Sequence, residues 1–298
     1  MLFTAGAIDR QGKVSDGNTV CDYDAEEIKR QISISMGIAP VEYNGCKLNV
    51  LDAPGFFDFV GEALCAIRAS EAGVIVTPAK DTAESVPVGT QRSWNYLKTA
   101  NLPVMFCISK CNEEHSDYNK ALDTLIDKYG SIVCPVTIPT SDGSAVIDLV
   151  HNVAYKANGN KVTKVDVPAA DADHVEELRE KLTETAAGAS EELMEKFFDT
   201  MELSEEEIVE GLKLGVKDRL VVPVFASDAM TNVGTAAIMQ GLIDYCPAPA
   251  DSGKGTLGFV FKTISDKFGK YSLVKVLSGK LVGGASLYNV RSSSNDKL

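Results

Sequence analysis

The sequence contains no apolar run approaching the roughly 18 residues that would span a bilayer, and its opening, MLFTAGAIDR, lacks the long apolar core of a secretory signal. These absences predict a cytoplasmic chain with no membrane partner. Aromatic residues are sparse, at 7%, with a single tryptophan, and only three histidines occur, His115, His151 and His174, far apart in the chain. Scattered in this way they read as solvated loop or helix residues rather than as a catalytic constellation. The seven cysteines stand singly, at 21, 46, 65, 107, 111, 134 and 246, an odd number without paired spacing. That pattern excludes a disulfide framework, and Cys107 and Cys111 are too isolated from other ligands to hold zinc. Positive charge is also short: 29 Lys and Arg face 42 Asp and Glu, a formal net charge of −13. A chain so acidic repels a polyanion, which argues against a non-specific nucleic-acid binder and against direct binding to free DNA. Docking through a local basic patch stays open.

What is present is enough apolar residue, 45% of 298, to bury a sizeable core and to support two domains. From Pro40 two apolar runs flank Asn44-Gly45, the dipeptide that accepts positive φ at both central turn positions. This predicts a β-hairpin whose second strand delivers Asp52 to a loop. Then VGEALCAIRASEA, VGTQRSWNYLKTAN and SDYNKALDTLIDKYG read as helices, alternating with the apolar strands GVIVTPA and LPVMFCISK. Such βα alternation predicts a parallel sheet flanked by helices.

The alternation stops near Cys134 and resumes with LVVPVFASD and the helix GTAAIMQGLIDYC. Between them lie a turn-rich start, a polar stretch KANGNKVTKVDVPAADAD and acidic helical runs, the last opened by Ser204 with Glu207 three residues on, a capping box. The segment reads as an insertion into an α/β domain, its carboxylates a solvated helix face rather than a metal cluster. PAPAD and SGKGTLG form a linker, after which about three short strands joined by glycine turns predict the start of an antiparallel β-barrel. No internal repeat is evident.

In open parallel sheets, ligands bind beyond the carboxyl ends of the strands. Asp52, Lys110 and Ser227 are expected at such ends. In LDAPGFFDF, Asp52 can hold a magnesium ion through its water, while Gly55 lets a backbone N–H approach a terminal phosphate. D-x-x-G alone is a weak signal; its weight comes from the other loops falling in register.

Those loops resemble elongation factor G, the translational GTPase that drives translocation on the ribosome, and the resemblance runs the length of the chain. TAGAIDRQGKVSDGNTVCDYDAEEIKRQISI is similar to the family's switch I segment, LNVLDAPGFFDF to its switch II and MFCISKCNEEHSDY to its guanine-reading loop. PVFASDAMTNVGTAAIMQGLIDYCPAP resembles the last loop and helix of the G domain, and SEELMEKFFD and LSEEEIVEGLK the family's inserted subdomain. The resemblance implies a P-loop-GTPase-like G domain at 1–134 and 219–247, an inserted α/β subdomain at 135–218 and a partial second-domain β-barrel at 248–298. It implies GTP and magnesium as ligands and the ribosome as partner. It places nucleotide contacts at Asp52, Gly55, Lys110, Asn112 and Ala229, and magnesium contacts at Ser33 and Asp52.

The departures from the family pattern carry equal information. No stretch fits the P-loop G-x-x-x-x-G-K-[ST], the main phosphate cradle. The strand before that loop, which in the family lies within the sheet, has no counterpart either, so the sheet should show a gap or a rearranged centre. The chain is therefore expected to be a fragment or a derivative that does not bind nucleotide. Phe56 stands at the position of a water-orienting histidine, and a phenyl ring neither donates nor accepts the required hydrogen bond. Asn112 stands for the aspartate whose two acceptor oxygens read guanine, which weakens guanine selectivity. Asp228 adds charge beside Ala229. Three readings follow: a truncated elongation factor G-like GTPase with impaired nucleotide binding and hydrolysis, a catalytically silent ribosome-associated module, or an acidic α/β protein unconnected with ribosomes.

Overall fold

Asn44 and Gly45 turn the chain back on itself with φ of 45° and 77°, the pair of positive values a tight hairpin turn needs. After a short helix, α1 (Ala25–Arg30), the hairpin joins β1 (Gly37–Tyr43) to β2 (Cys46–Asp52) in a register that ends with Asp52 opposite Gly37. Then come α2 (Val60–Ala69), β3 (Gly73–Pro78), α3 (Val88–Thr99), β4 (Val104–Ser109), α4 (Tyr118–Tyr129) and β5 (Val133–Pro135). The computed structural model describes residues 1–79, 85–251, 253, 255–266 and 269–297. Residues 252 and 254 of the expected linker fall outside that description.

From β5 the chain enters four antiparallel strands in consecutive order, β6 (Thr137–Pro139), β7 (Val146–Asp148), β8 (Val153–Asn158) and β9 (Lys161–Val165). The polar stretch KANGNKVTKV thus contains strands, where the sequence had suggested only its polarity. β9 is exposed at every position, so an edge strand carried by charged and β-branched residues leaves no alternation to read. Three helices follow, α5 (Ala172–Ala187), α6 (Glu191–Thr200) and α7 (Glu205–Asp218), before β10 (Val222–Ala226) and α8 (Thr235–Tyr245). The predicted capping box on α7 is present: Ser204 Oγ accepts from Glu207 N at 3.3 Å and Glu207 Oε2 from Ser204 N at 2.8 Å. α7 buries Ile208, Gly211, Leu212, Gly215 and Val216, one stripe at helical spacing.

The parallel sheet has the order β3-β4-β10-β5. β4 and β10 are its buried centre, every residue of β10 being inaccessible, which is why both read as unbroken apolar runs. Pro223 sits within β10, and the ladder to β4 starts one residue later, at Val224 opposite Phe106. Pairing to β5 includes Pro223, with Val222 N donating to Ile132 O at 2.7 Å and Val224 O accepting from Val136 N at 2.9 Å. The missing proline N–H is thereby kept out of a ladder that would need it. Trp94 of α3 and Tyr129 of α4 stack with Phe106 of β4 at centroid separations of 5.7 and 5.5 Å, fixing both helices to the central strand.

Among the described residues β2 pairs only with β1, and β3 only with β4. The hairpin is a sheet of its own, in line with the expected gap in the sheet. One face of β3 is covered, at Ile75 and Thr77; on the other, Val76 is 62% exposed.

Residues 1–247 form one unit of the chain and 248–298 another. In the second unit β11 (Leu257–Asp266) pairs antiparallel with β12 (Gly269–Ser278), and β13 (Ser286–Asn289) with β14 (Ser294–Lys297). β14 lies in the serine-rich end, beyond the three or so short strands expected from the sequence. Its residues are all exposed, so pairing with β13 defines it rather than any apolar pattern.

Gly211 marks where α7 crosses α5 most closely: a Cβ there would lie 2.4 Å from the Ala186 carbonyl oxygen. Gly211→Ala is expected to destabilise by about 1–3 kcal/mol despite alanine's better helix propensity. At Gly61 in α2 a Cβ meets nothing within 4 Å, so Gly61→Ala is expected to be neutral or to stabilise by up to about 1 kcal/mol. Urea unfolding followed by Trp94 fluorescence measures both.

Candidate functional site

The predicted site residues lie on loops at strand ends. Asp52 closes β2 and leads into Ala53–Gly55; Lys110 follows β4; Ser227 follows β10, with Ser227 N donating to Ile108 O and Cys111 N to Ser227 O, at 2.9 and 3.3 Å. These two bonds lock the 110–116 and 227–233 loops side by side.

At the phosphate-facing end, Ser33, Gly55 and Phe56 line one cleft of about 450 Å³ together with Gln31, Ile32 and Phe57. Two separate segments, 31–33 and 55–57, thus meet at this cleft. Phe56 is 55% exposed, an aromatic side chain on this cleft that offers no hydrogen bond. Phe57 is held by the Arg92 guanidinium of α3, 4.0 Å over its ring.

Of the two expected cation ligands, Ser33 is engaged by a protein partner. Ser33 Oγ donates to Asp22 Oδ1 at 2.7 Å, and the other Asp22 oxygen accepts from Thr19 Oγ1 at 3.2 Å. The Cys21 side chain lies beside Asp52. Burial pushes its thiol up to about 12, with the Asp52 charge acting in the same direction, so it stays protonated. Asp52 has solvent access, yet the packed chain around it desolvates its carboxyl and raises its pKa, and the charges of Asp22 and Glu27 add to the rise.

Glu27 organises the whole segment. It is buried, and its Oε1 accepts from Ile34 N and Ser35 N at 2.9 Å each, while Oε2 accepts from Asp24 N at 3.0 Å. Desolvation opposes its charge, but these backbone donors outweigh it and hold the carboxyl below its ordinary range. Sequence reasoning missed Cys21, Asp22 and Glu27 as site residues. The signal for Glu27 was available: Asp24 followed three residues later by Glu27 is a capping box, and both of its bonds are present on α1.

At the base-facing end, Lys110 takes a left-handed conformation, φ 62°, and its exposed ammonium lies 3.9 Å from Glu113. Asn112 Nδ2 donates to Thr231 Oγ1 at 3.3 Å, committing part of its amide to the neighbouring loop. Asp228, expected as extra charge beside Ala229, is instead buried, and its Oδ1 accepts from Met230 N, Thr231 N and Thr231 Oγ1 at 2.9–3.0 Å. The carboxylate builds the loop and leaves Ala229 exposed at its tip. Gln11 Nε2 donates to the Ala229 carbonyl and Thr4 Oγ1 to Asn232 Oδ1 at 2.9 Å, bringing the N-terminal segment against this loop.

A second cleft, of about 470 Å³, opens between the 110–119 loop and the β6–β7 turn of the insertion. Its carboxylates have structural tasks: Asp117 caps α4 at Lys120 N, Asp171 accepts from Ser141 N, and Asp142 holds Thr140 and Ser144, which draws its pKa down to about 2. Among the described residues no group of three or more His, Cys, Asp or Glu side chains is placed to hold a metal ion. The residues expected at the base end and those expected at the terminal-phosphate end lie on separate loops, and Ser33 Oγ is hydrogen-bonded to Asp22.

A family model described as the elongation factor Tu GTP binding domain matches residues 1–248. An elongation factor G-like protein of Mycobacterium tuberculosis is 30% identical over 305 residues, covering 94% of this chain and 42% of that protein. Elongation factor G of Granulibacter bethesdensis is 26% identical over 329 residues, covering all of this chain and 47% of the relative. A crystal structure of a Thermus thermophilus protein superposes with a TM-score of 0.90 at 27% identity, covering 100% of this chain and 45% of that one. The chain spans less than half the length of each.

Glu27→Gln replaces two charged acceptor oxygens with one neutral acceptor and one donor that faces backbone N–H groups. It is expected to cost roughly 2–3 kcal/mol. Because folding depresses the Glu27 pKa, its contribution is present above the unfolded value of about 4.3 and is lost as pH falls through the lower folded value. Urea unfolding of the two proteins at neutral pH and near pH 3 should show the gap between them narrowing in acid.

Proposed function

The chain belongs to the elongation factor Tu GTP-binding domain family, and on that premise we propose that it is an elongation factor G-like translational GTPase chain with impaired nucleotide binding and hydrolysis. Residues 1–134 and 219–247 make the G domain, 135–218 the inserted subdomain and 248–298 strands of the second domain. Asp52, Gly55, Lys110, Asn112 and Ala229 are its nucleotide-facing groups, with Ser33 and Asp52 facing the cation and the ribosome as partner. The observation that carries this reading is the cleft shared by Ser33, Gly55 and Phe56. It joins the two segments a terminal-phosphate sensor needs and sets a phenyl ring where a hydrogen-bonding group would orient water.

Lys110 can lie along a purine face, and the Ala229 N–H can meet a base oxygen. Asn112 offers guanine one acceptor where two are needed. With no G-x-x-x-x-G-K-[ST] among these residues, the affinity that the phosphates supply elsewhere in the family is missing.

The same Phe56 and Asn112 favour a second reading, a ribosome-associated module without turnover. Titration of the chain with fluorescent GTP and XTP in magnesium buffer is expected to show no saturable binding in the micromolar range. Micromolar, magnesium-dependent GTP affinity would overturn the claim of impairment. Sedimentation with ribosomes at low salt tests the second reading, which predicts that the chain pellets with them and fails if it stays in the supernatant.

A further inference from the structure

We propose that His151 is a proton-operated clasp on the turn that joins β7 to β8 in the insertion, tightest when its imidazole is charged. The inference stands apart from the proposed function and involves no nucleotide.

The turn is built around Asp148, the last residue of β7. Its Oδ1 accepts from Val150 N at 2.9 Å and from His151 N at 3.1 Å, and its Oδ2 lies 2.8 Å from His151 Nδ1. A carboxylate can only accept, so Nδ1 carries a proton at this bond in both charge states of the ring, and the titrating proton goes to Nε2. From α5, Arg179 Nη1 donates to the Leu149 and Val150 carbonyls at 3.0 and 2.8 Å. Leu149 and Val150 are fully buried in the main core, so the turn holds two apolar side chains inward. The Asp148 side chain is 14% exposed and that of His151 37%: a sheltered carboxylate beside an imidazole that exchanges its proton with water.

The surrounding charges favour the imidazolium. Glu205 and Glu206 at the start of α7 and Asp244 near the end of α8 interact with it electrostatically, while Arg179 faces the carbonyls of the turn. Tyr155 of β8 and Tyr245 of α8 are pushed up by burial and then by the Asp148 charge, so both phenols stay neutral. The bond to Asp148 raises the His151 pKa against the opposing effect of burial, and the charges of Asp148, Glu205 and Asp244 add to the rise. Because folding raises it, the stabilisation is complete below the unfolded value of about 6.5 and is lost as pH rises through the folded value. Neutral His151 keeps the hydrogen bond and gives up its charge assistance.

The test is NMR of the full 298-residue chain. The His151 ring is expected to titrate with a midpoint above the ordinary value of about 6.5, and Asp148→Asn, which keeps an acceptor for the two backbone N–H groups but no charge, should bring the midpoint back toward it. His151→Gln can still donate to Asp148 and never carries charge. After correction for the intrinsic effect of pH, the Val150 and His151 amides of this variant should exchange roughly two- to fivefold faster than wild type near pH 5.5 and at the same rate near pH 8.5, with β4 amides unchanged as the control for folding. A wild-type midpoint at or below about 6.5 would overturn the clasp. So would an exchange gap of equal size at both pH values, the result of a histidine that only packs, or no gap at either.

Discussion

Parallel pairing that stops at β3 governs the rest of the molecule. From β3 through β4 and β10 to β5 the ladder is continuous, and the two central strands are buried on both faces. On the other side, β2 hydrogen-bonds only to its own hairpin partner among the described residues. The loops after β4 and β10 therefore spring from a rigid base and are bonded to each other, while the Asp52–Gly55 loop springs from a two-stranded ribbon, a form that has little stability by itself. The candidate site inherits this asymmetry: the loops after β4 and β10 are bonded backbone to backbone, while the segment that carries Ser33 is held by the Asp22 and Glu27 side chains.

Where the sheet does not supply order, carboxylates do. Glu27 gathers the backbone N–H groups of Asp24, Ile34 and Ser35, Asp228 gathers Met230 and Thr231, and Asp22 takes two hydroxyls. Each is a short polar side chain that replaces missing secondary structure with local hydrogen bonds. Part of the acidity that looks like a surplus of surface charge in the sequence is thus structural, and a neutral amide at Glu27, which uses both oxygens, would leave a backbone donor unpaired.

The fold was largely legible because its signals are local. Asn44-Gly45 announced the hairpin, unbroken apolar runs announced β3, β4 and β10, and Ser204 with Glu207 announced α7. β9 and β14 were illegible because all their positions are exposed and only a partner strand defines them. At the site, the strand-end positions of Asp52, Lys110 and Ser227 followed from the βα rhythm. The role of Asp228 did not, since whether a carboxylate faces a ligand or its own backbone depends on the turn it makes. Cys21 and Asp22 carry no spacing motif, and their meeting with Asp52 and Ser33 is purely tertiary.

The separation of the hairpin from the parallel sheet is most directly tested by residue-resolved amide exchange measured by NMR along β2 and β4. In an antiparallel ribbon with one partner, N–H groups alternate between paired and outward-facing. Fast exchange at alternate residues of β2, beside uniform slow exchange along β4, is the predicted result. Uniform protection along β2 matching that of β4 would mean that the strand has a second partner, and would contradict the account of a hairpin separate from the parallel sheet.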